Sequence, residues 1–358
     1  MKLKHLEHVE DYVLTGNYMQ AVDTIGTLCD ELTGRGSPHL KVTTKYDGAP
    51  SIVFGVNPAN NKFFVGTKAV FNKTPKICYN EEDINFFHGD QPELVAKLHL
   101  ALDTLNFEYN NGGMLKGVFQ GDILFTRDSV KEDNRTVFFT PNTITYRCNK
   151  EQLLGMEVRA RPLGMVVHTV YEGETLETME ANFNVDHSKF LGFNVVFINP
   201  NIKTNDYLMT QLQYDTIVSI VNFCDTTALT MSNRSIYTSH GKFLKMFINH
   251  CIRMGEPSPE LSMYEVFLRN RGEDDLNKEV EKHRREFVGI LMMHKYVTQA
   301  KKIILRILNS TAIFFHEANG HPTDGEGFVV IYHGVPCKLV DRMEFSKLNF
   351  ANKRFVKS

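Results

Sequence analysis

No two of the six cysteines in this 358-residue sequence form a CxxC pair. That spacing excludes a zinc ribbon or finger and makes buried free thiols in a reducing compartment the expectation. No run approaches the ~20 apolar residues that a membrane-spanning helix needs. The opening MKLKHLEHVE lacks the apolar core of a signal peptide. A soluble, cytoplasmic protein is therefore expected, in the host cytoplasm if the gene is viral, with no membrane partner and as a monomer. There is no excess of one charge: 40 Lys and Arg stand against 42 Asp and Glu, for a net charge of -2. This excludes a basic nucleic-acid coat, so any nucleic-acid contact must come from a local basic patch. Internal repeats and low-complexity segments are absent too, and 42% hydrophobic residues exclude a disordered chain. Tryptophan is missing, which decides nothing about function.

What is present suits one large or two medium domains. Residues 3–33 show helical periodicity, broken near Thr15-Gly16, with His5 and His8 on one helical face; a solvated face is the preferred reading of that pair. From 40 to 80 the pattern changes to short strands, LKVTTKY, PSIVFGV and KFFVGTKAVF, which read as an antiparallel meander. A helix is predicted over 92–105, strands over 114–125 and 162–171, and a hairpin over 135–148 turning at Pro141-Asn142. Residues 203–316 are helical and rich in Met and Leu, with Phe287, Leu291, Val297, Ala300, Ile304 and Leu308 on one recurring face, read as core. Strands return in GEGFVVIYHGVPCKLV, a hairpin turning at His333-Gly334. The expected class is α+β: an N-terminal helical segment (1–36), a sheet-rich core (37–202), an inserted all-helical module (203–316), and the last core strands with a basic tail (317–358).

The stretch KVTTKYDGAPS raises a chemical question, because a turn needs Asp47 and Gly48 but not Lys45. Taken alone, Lys45-Tyr46-Asp47-Gly48 reads equally well as a hairpin with an exposed lysine. Farther along, Thr67 and Lys68 end a strand pair, Asp122 lies inside an apolar strand, Glu326 opens another and Lys338 sits on the next. Charged residues within strands are poorly suited to burial unless they line a shared cleft. Such a cleft would form a phosphate and metal site.

This ordered set resembles the covalent nucleotidyltransferase superfamily of ATP-dependent DNA ligases, RNA ligases and mRNA capping enzymes, over roughly residues 40–172 and 322–342. The K-x-D-G motif matches Lys45 to Gly48. The second basic motif resembles Thr67-Lys68, and the acidic strand motif resembles Gly121-Asp122 with aspartate for the usual glutamate. The E-G-hydrophobic motif matches Glu326-Gly327-Phe328-Val329, and the final lysine strand matches Lys338. The resemblance implies antiparallel sheets with flanking helices, ATP and Mg²⁺ (or Mn²⁺) as cofactors, and Lys45 as the nucleophile that becomes lysyl-AMP. It further implies nucleotide contacts from Thr44, Asp47, Gly48, Lys68, Asp122, His168 and Lys338, and metal contacts from Glu326 and Asp122. The residue types suit the chemistry. A nucleophilic amine must be neutral, free lysine titrates near ~10.4, and neighbouring cations or desolvation favour the neutral form.

Three departures accompany the resemblance. The usual second lysine of the last strand is Val340, with Arg342 or Lys347 as substitutes. The base-stacking aromatic of the family is replaced by His168, which reads equally as a hydrogen-bonded core residue. The chain ends shortly after Lys338, leaving no room for the OB-type barrel of DNA ligases and capping enzymes. The expected function is ATP-dependent polynucleotide ligation, RNA preferred over DNA, with Lys353, Arg354 and Lys357 as basic contacts to nucleic acid. A DNA ligase using the helical module in place of the barrel, a non-catalytic binding module, and adenylyl transfer to a protein or small molecule stay open. NAD-dependent ligases are far longer and carry a cysteine zinc cluster, which favours ATP.

Overall fold

The computed structural model describes residues 6–36, 39–114, 116–202, 209–231 and 235–346. In chain order the elements are β1 (Glu7–His8), α1 (Asp11–Leu14), α2 (Tyr18–Leu32), β2 (Leu40–Lys45), β3 (Ser51–Val56), β4 (Phe63–Gly66), α3 (Glu81–His88) and α4 (Pro92–Asn110). There follow β5 (Val118–Thr126), β6 (Lys131–Glu132), β7 (Thr136–Phe139), β8 (Thr145–Asn149), α5 (Leu153–Ala160), β9 (Leu163–Glu172), β10 (Glu180–Asn182) and β11 (Val195–Phe197). The chain continues through α6 (Gln211–Leu229), α7 (Ser235–Met254), α8 (Leu261–Arg269), α9 (Asp274–Lys282), α10 (Arg284–Asn309), β12 (Phe315–Ala318), β13 (His321–Pro322), β14 (Gly327–Tyr332) and β15 (Val335–Leu339). The class is α+β with several antiparallel sheets. Among the described residues no helix is long and apolar enough to cross a membrane, and all six cysteines are buried and unpaired.

The chain divides into two compact units. The first holds residues 44–201 and 312–326 among those described. Its larger sheet runs β10-β9-β5-β3-β4, with β11 added in parallel to β9. One face of that sheet, through Ile52, Phe54, Phe119, Ile123, Met165 and Val167, packs on Leu98, Ala101 and Leu105 of α4. Those helix residues recur at three- and four-residue spacing, which puts them on one side of the helix. The pairing of β5 with β9 is interrupted twice. His168 is an extra residue on β9, between the partners of Gly121 and Gln120, and Leu124 is an extra residue on β5, between the partners of Met165 and Gly164. A bulge of this kind re-aims the unpaired side chain. The second sheet of this unit runs β13-β12-β8-β7-β6.

The second unit holds residues 6–43, 202–311 and 327–346 among those described. Helices α2, α6, α7, α8 and α10 share one core with Phe328, Val330, Cys337 and Leu339 of the last hairpin. The stripe Phe287, Leu291, Val297, Ala300, Ile304 and Leu308 belongs to that core. The helical residues thus cluster with the N-terminal helices and with β14 and β15, whereas the sequence groups the final hairpin with the sheet-rich core. The reason is the apolar alternation of that hairpin, whose inward side chains need helices to cover them. Its turn is as read: His333 and Gly334 both have positive φ, 46° and 76°, the two-residue turn that suits antiparallel strands.

Two local expectations are corrected. Residues Glu7 and His8 are not helical; they pair in parallel with Cys337 and Lys338. His8 is a strand residue, and His5 lies outside the described residues. The 40–80 segment is also not a simple meander. Strand β3 pairs with β4 and β5, while β2 joins β14 at the end of the sheet β1-β15-β14-β2.

Candidate functional site

Lys45 closes β2, and the next five residues do not turn back as a hairpin. Asp47 is buried and used as an anchor. Its Oδ1 accepts from Asn142 Nδ2 at 2.9 Å, and its Oδ2 accepts from the backbone N–H of Thr143 at 2.8 Å and of Ile144 at 3.3 Å. The Asp47 N–H in turn donates to the Tyr146 hydroxyl at 2.7 Å. Burial raises the Tyr146 phenol well above its ordinary value, so it remains a neutral partner. Gly48 is required by packing: a Cβ there would lie 2.6 Å from Asp122 Cβ and 3.1 Å from the Ile123 carbonyl oxygen. Past the cis Ala49-Pro50 bond, the Ala49 N–H donates to Ile123 O at 2.9 Å, and the Ile123 N–H donates to Pro50 O at 3.0 Å. The loop after the lysine is therefore clamped between the β7–β8 turn and strand β5.

The Lys45 ammonium donates to Glu326 Oε1, a residue 281 positions later in the chain. The two side chains are 28% and 11% exposed, so the amine is the accessible end of the pair. Glu326 follows Gly325, which packs against the ring of His316; a Cβ on that glycine would stand 3.1 Å from the imidazole. Burial pushes the Glu326 carboxyl above its ordinary value; Lys45 opposes this, and the negative charges of Asp47 and Asp122 add to it.

Asp122 is the one residue of β5 that is not fully buried. His168 Nε2 lies 3.3 Å from its Oδ1, and His168 Nδ1 lies 2.8 Å from Thr169 Oγ1. Burial alone would raise the Asp122 carboxyl, but the charge and hydrogen bond of His168, the Ser51 hydroxyl and the charge of Lys45 together hold it below the usual value. Ser51 accepts from Gln120 Nε2 at 2.7 Å, and Gln120 Oε1 accepts from Tyr171 at 2.6 Å. A polar chain thus runs across one sheet face from Tyr171 to His168.

The first unit therefore gathers Lys45, Asp47, Asp122, His168 and Glu326. Thr44 lies beside them in sequence, its N–H donating to Pro200 O at 2.7 Å. Lys68 is exposed, at the start of a single 3₁₀ turn that Thr67 caps. Lys338 is a residue of the second unit, on β15 between the inward-facing Cys337 and Leu339. Val340 is buried, and its Cγ2 would lie 3.0 Å from a Cβ on Gly327. Arg342 is committed to Asp11 at 2.8 Å, which removes it as a stand-in for the second lysine. Lys347, Lys353, Arg354 and Lys357 lie outside the described residues. Sequence reasoning missed Tyr146, Asn142, Ser51 and His316. Only the strand alternation that turns Tyr146 inward was visible beforehand.

A divalent cation would find two carboxylates beside Lys45, those of Glu326 and Asp122. No group of three His, Cys, Asp or Glu side chains that would cage an ion alone occurs among the described residues. Glu326 and Asp122 do sense each other's charge, and Mg²⁺ is commonly held by one or two carboxylates with phosphate and water oxygens completing the shell. The two carboxylates fit that pattern.

No curated protein and no solved structure matches this chain. One family model does, over residues 3–354, which is nearly the whole sequence. The chain belongs to that family, DUF6267, a family of unknown function.

Proposed function

We propose that the protein is an ATP-dependent polynucleotide ligase of the covalent nucleotidyltransferase type, acting on RNA in preference to DNA. The observation that carries this reading is the pairing of Lys45 with Glu326, beside Asp122, on a loop that Asp47 and Gly48 hold rigid. A merely solvated lysine would not be met by a buried carboxylate from so distant a segment.

In this reading the neutral Lys45 amine attacks the α-phosphorus of ATP. A P–N bond forms as the bond to the bridging oxygen breaks, pyrophosphate leaves, and the amine proton passes to solvent or to Glu326. The AMP then passes to a 5′-phosphate end, and a 3′-hydroxyl displaces it. Asp122 and His168 are assigned to the nucleoside and Lys68 to phosphate. Mg²⁺ or Mn²⁺ on Glu326 and Asp122 would supply positive charge to the phosphates. Incubation with α-labelled ATP and Mg²⁺ should leave label on the denatured wild type and none on Lys45→Ala. Absence of label on wild type with any nucleotide would overturn the reading. The second reading, a binding module without turnover, is favoured by one observation: Val340 is packed in the core where the family carries a lysine.

A further inference from the structure

Strand pairing in the second sheet of the first unit places four side chains in one transverse row. Lys131 on β6 is opposite Phe138 on β7, Phe138 is opposite Arg147 on β8, and Arg147 is opposite Phe315 on β12. Directly opposed residues of antiparallel strands share a face. The other face of the sheet is closed: Val137, Phe139, Tyr146 and Cys148 are all buried. The row is open, with Lys131 exposed and Phe315 74% exposed.

The row has an unusual construction. The Arg147 guanidinium lies 4.1 Å from the centre of the Phe138 ring. It is held in place by Asp133 at 2.8 Å and Glu317 at 2.9 Å. Two carboxylates and a ring thus fix one planar cation beside an exposed aromatic. Arg135 and Lys150 flank the row at the same end of the sheet, where the Lys150 N–H donates to Arg135 O. Lys131, Arg147 and Lys150, whose Nζ donates to the Asp133 carbonyl at 3.2 Å, outnumber Asp133 and Glu317 on this face, a balance suited to a phosphate backbone.

We infer that this sheet face is a stacking platform for single-stranded nucleic acid, with bases lying on Phe315 and on the Arg147–Phe138 stack and phosphates running past Lys131. Aromatic and guanidinium planes accept any base because every base has a π-face. Paired bases are already stacked on one another and cannot use such a row. The inference deepens the ligase reading by assigning a contact surface for its polynucleotide, and to that extent rests on it.

The test uses the full chain and a fluorescent 12-nucleotide single-stranded RNA, with a duplex of the same sequence as comparison. Phe315→Ala should weaken single-strand binding about ten-fold, leave its salt dependence unchanged, and leave duplex binding alone. Phe315→Trp should restore binding. Lys131→Ala should weaken binding less and reduce the salt slope by about one counterion. Single-strand affinity equal to wild type in Phe315→Ala overturns the platform, as does equal loss on the duplex. Labelling of Lys45 by ATP is read on the same variants and keeps the two proposals apart. A labelled Phe315→Ala that binds RNA normally defeats the platform alone. An unlabelled wild type whose RNA binding falls in Phe315→Ala defeats the ligase and leaves the platform standing.

Discussion

Each unit contains a lysine–glutamate pair, and the two differ in sign. In the second unit Lys301 and Glu10 are 1% and 2% exposed. Burial alone would raise the Glu10 carboxyl, but Lys301, His8 and Arg342 outweigh it, and the net shift is downward. Arg342 also holds the neighbouring Asp11. That ion pair is a finished structural joint. In the first unit Lys45 faces Glu326 with 28% of its side chain exposed, and there burial and nearby negative charge win, so the glutamate is shifted upward. The carboxylate at 326 has less positive charge around it than its burial requires. The difference teaches that an ion pair alone is not a site. What distinguishes Lys45 is its accessibility beside a carboxylate that burial and neighbouring carboxylates push upward.

The comparison can be broken most forcefully at the sealed pair. Lys301→Met leaves Glu10 charged in the core with Arg342 at 3.7 Å in partial compensation and should cost about 3 kcal/mol in urea unfolding. Lys45→Met should cost about 1 kcal/mol or less while abolishing label from ATP. If the two substitutions destabilise equally, Lys45 is a structural lysine. Gly48→Ala comes next. The new methyl meets Asp122 Cβ and the Ile123 carbonyl, and should cost about 1–3 kcal/mol with a larger loss of labelling rate than of stability. Tyr146→Phe removes the acceptor of the Asp47 N–H and should cost about 1 kcal/mol, slowing labelling without abolishing it.

The smallest effect is a pH slope. Folded Glu326 binds its proton more readily than the unfolded carboxyl, whose reference value is 4.5. Just above that pH the native state therefore holds more protons, and stability falls as pH rises. Glu326→Gln should remove this decline. Glu10 has the opposite sign: its contribution is present above 4.5 and is lost as pH falls below it. Glu10→Gln should flatten the acid limb instead. Melting temperatures of both variants from pH 3 to 7 check the pair, and identical profiles would contradict the contrast.

The sequence made the strands legible as short β-branched and aromatic runs, as in β3, β9 and β14, and by alternation in β15, because neither signal needs tertiary information. It also marked Lys45, Asp122 and Glu326, since charges within apolar strands stand out. It could not show that β2 leaves its neighbour β3. The partner of β2 is β14, a strand near the other end of the sequence, and no local pattern encodes so distant a pairing. Two residues at the N-terminus read as helix and form a strand, because pairing with β15 overrides helical spacing. The grouping of β14 and β15 with the helices was equally hidden: an alternating strand declares that it has an apolar face, not what will cover it.

The two bulges on β5 and β9 carry an evolutionary implication. His168 and Leu124 are single surplus residues on facing strands, so the ladder is offset by one step only between them and runs in the same alignment on either side. Losing either residue alone would leave every existing pair on both sides in place and only straighten the strand at that point. The two losses differ in what they touch: without His168 the imidazole leaves Asp122, and without Leu124 the packing beside Gly48 opens, so each should be spared for its own contact and not for the register.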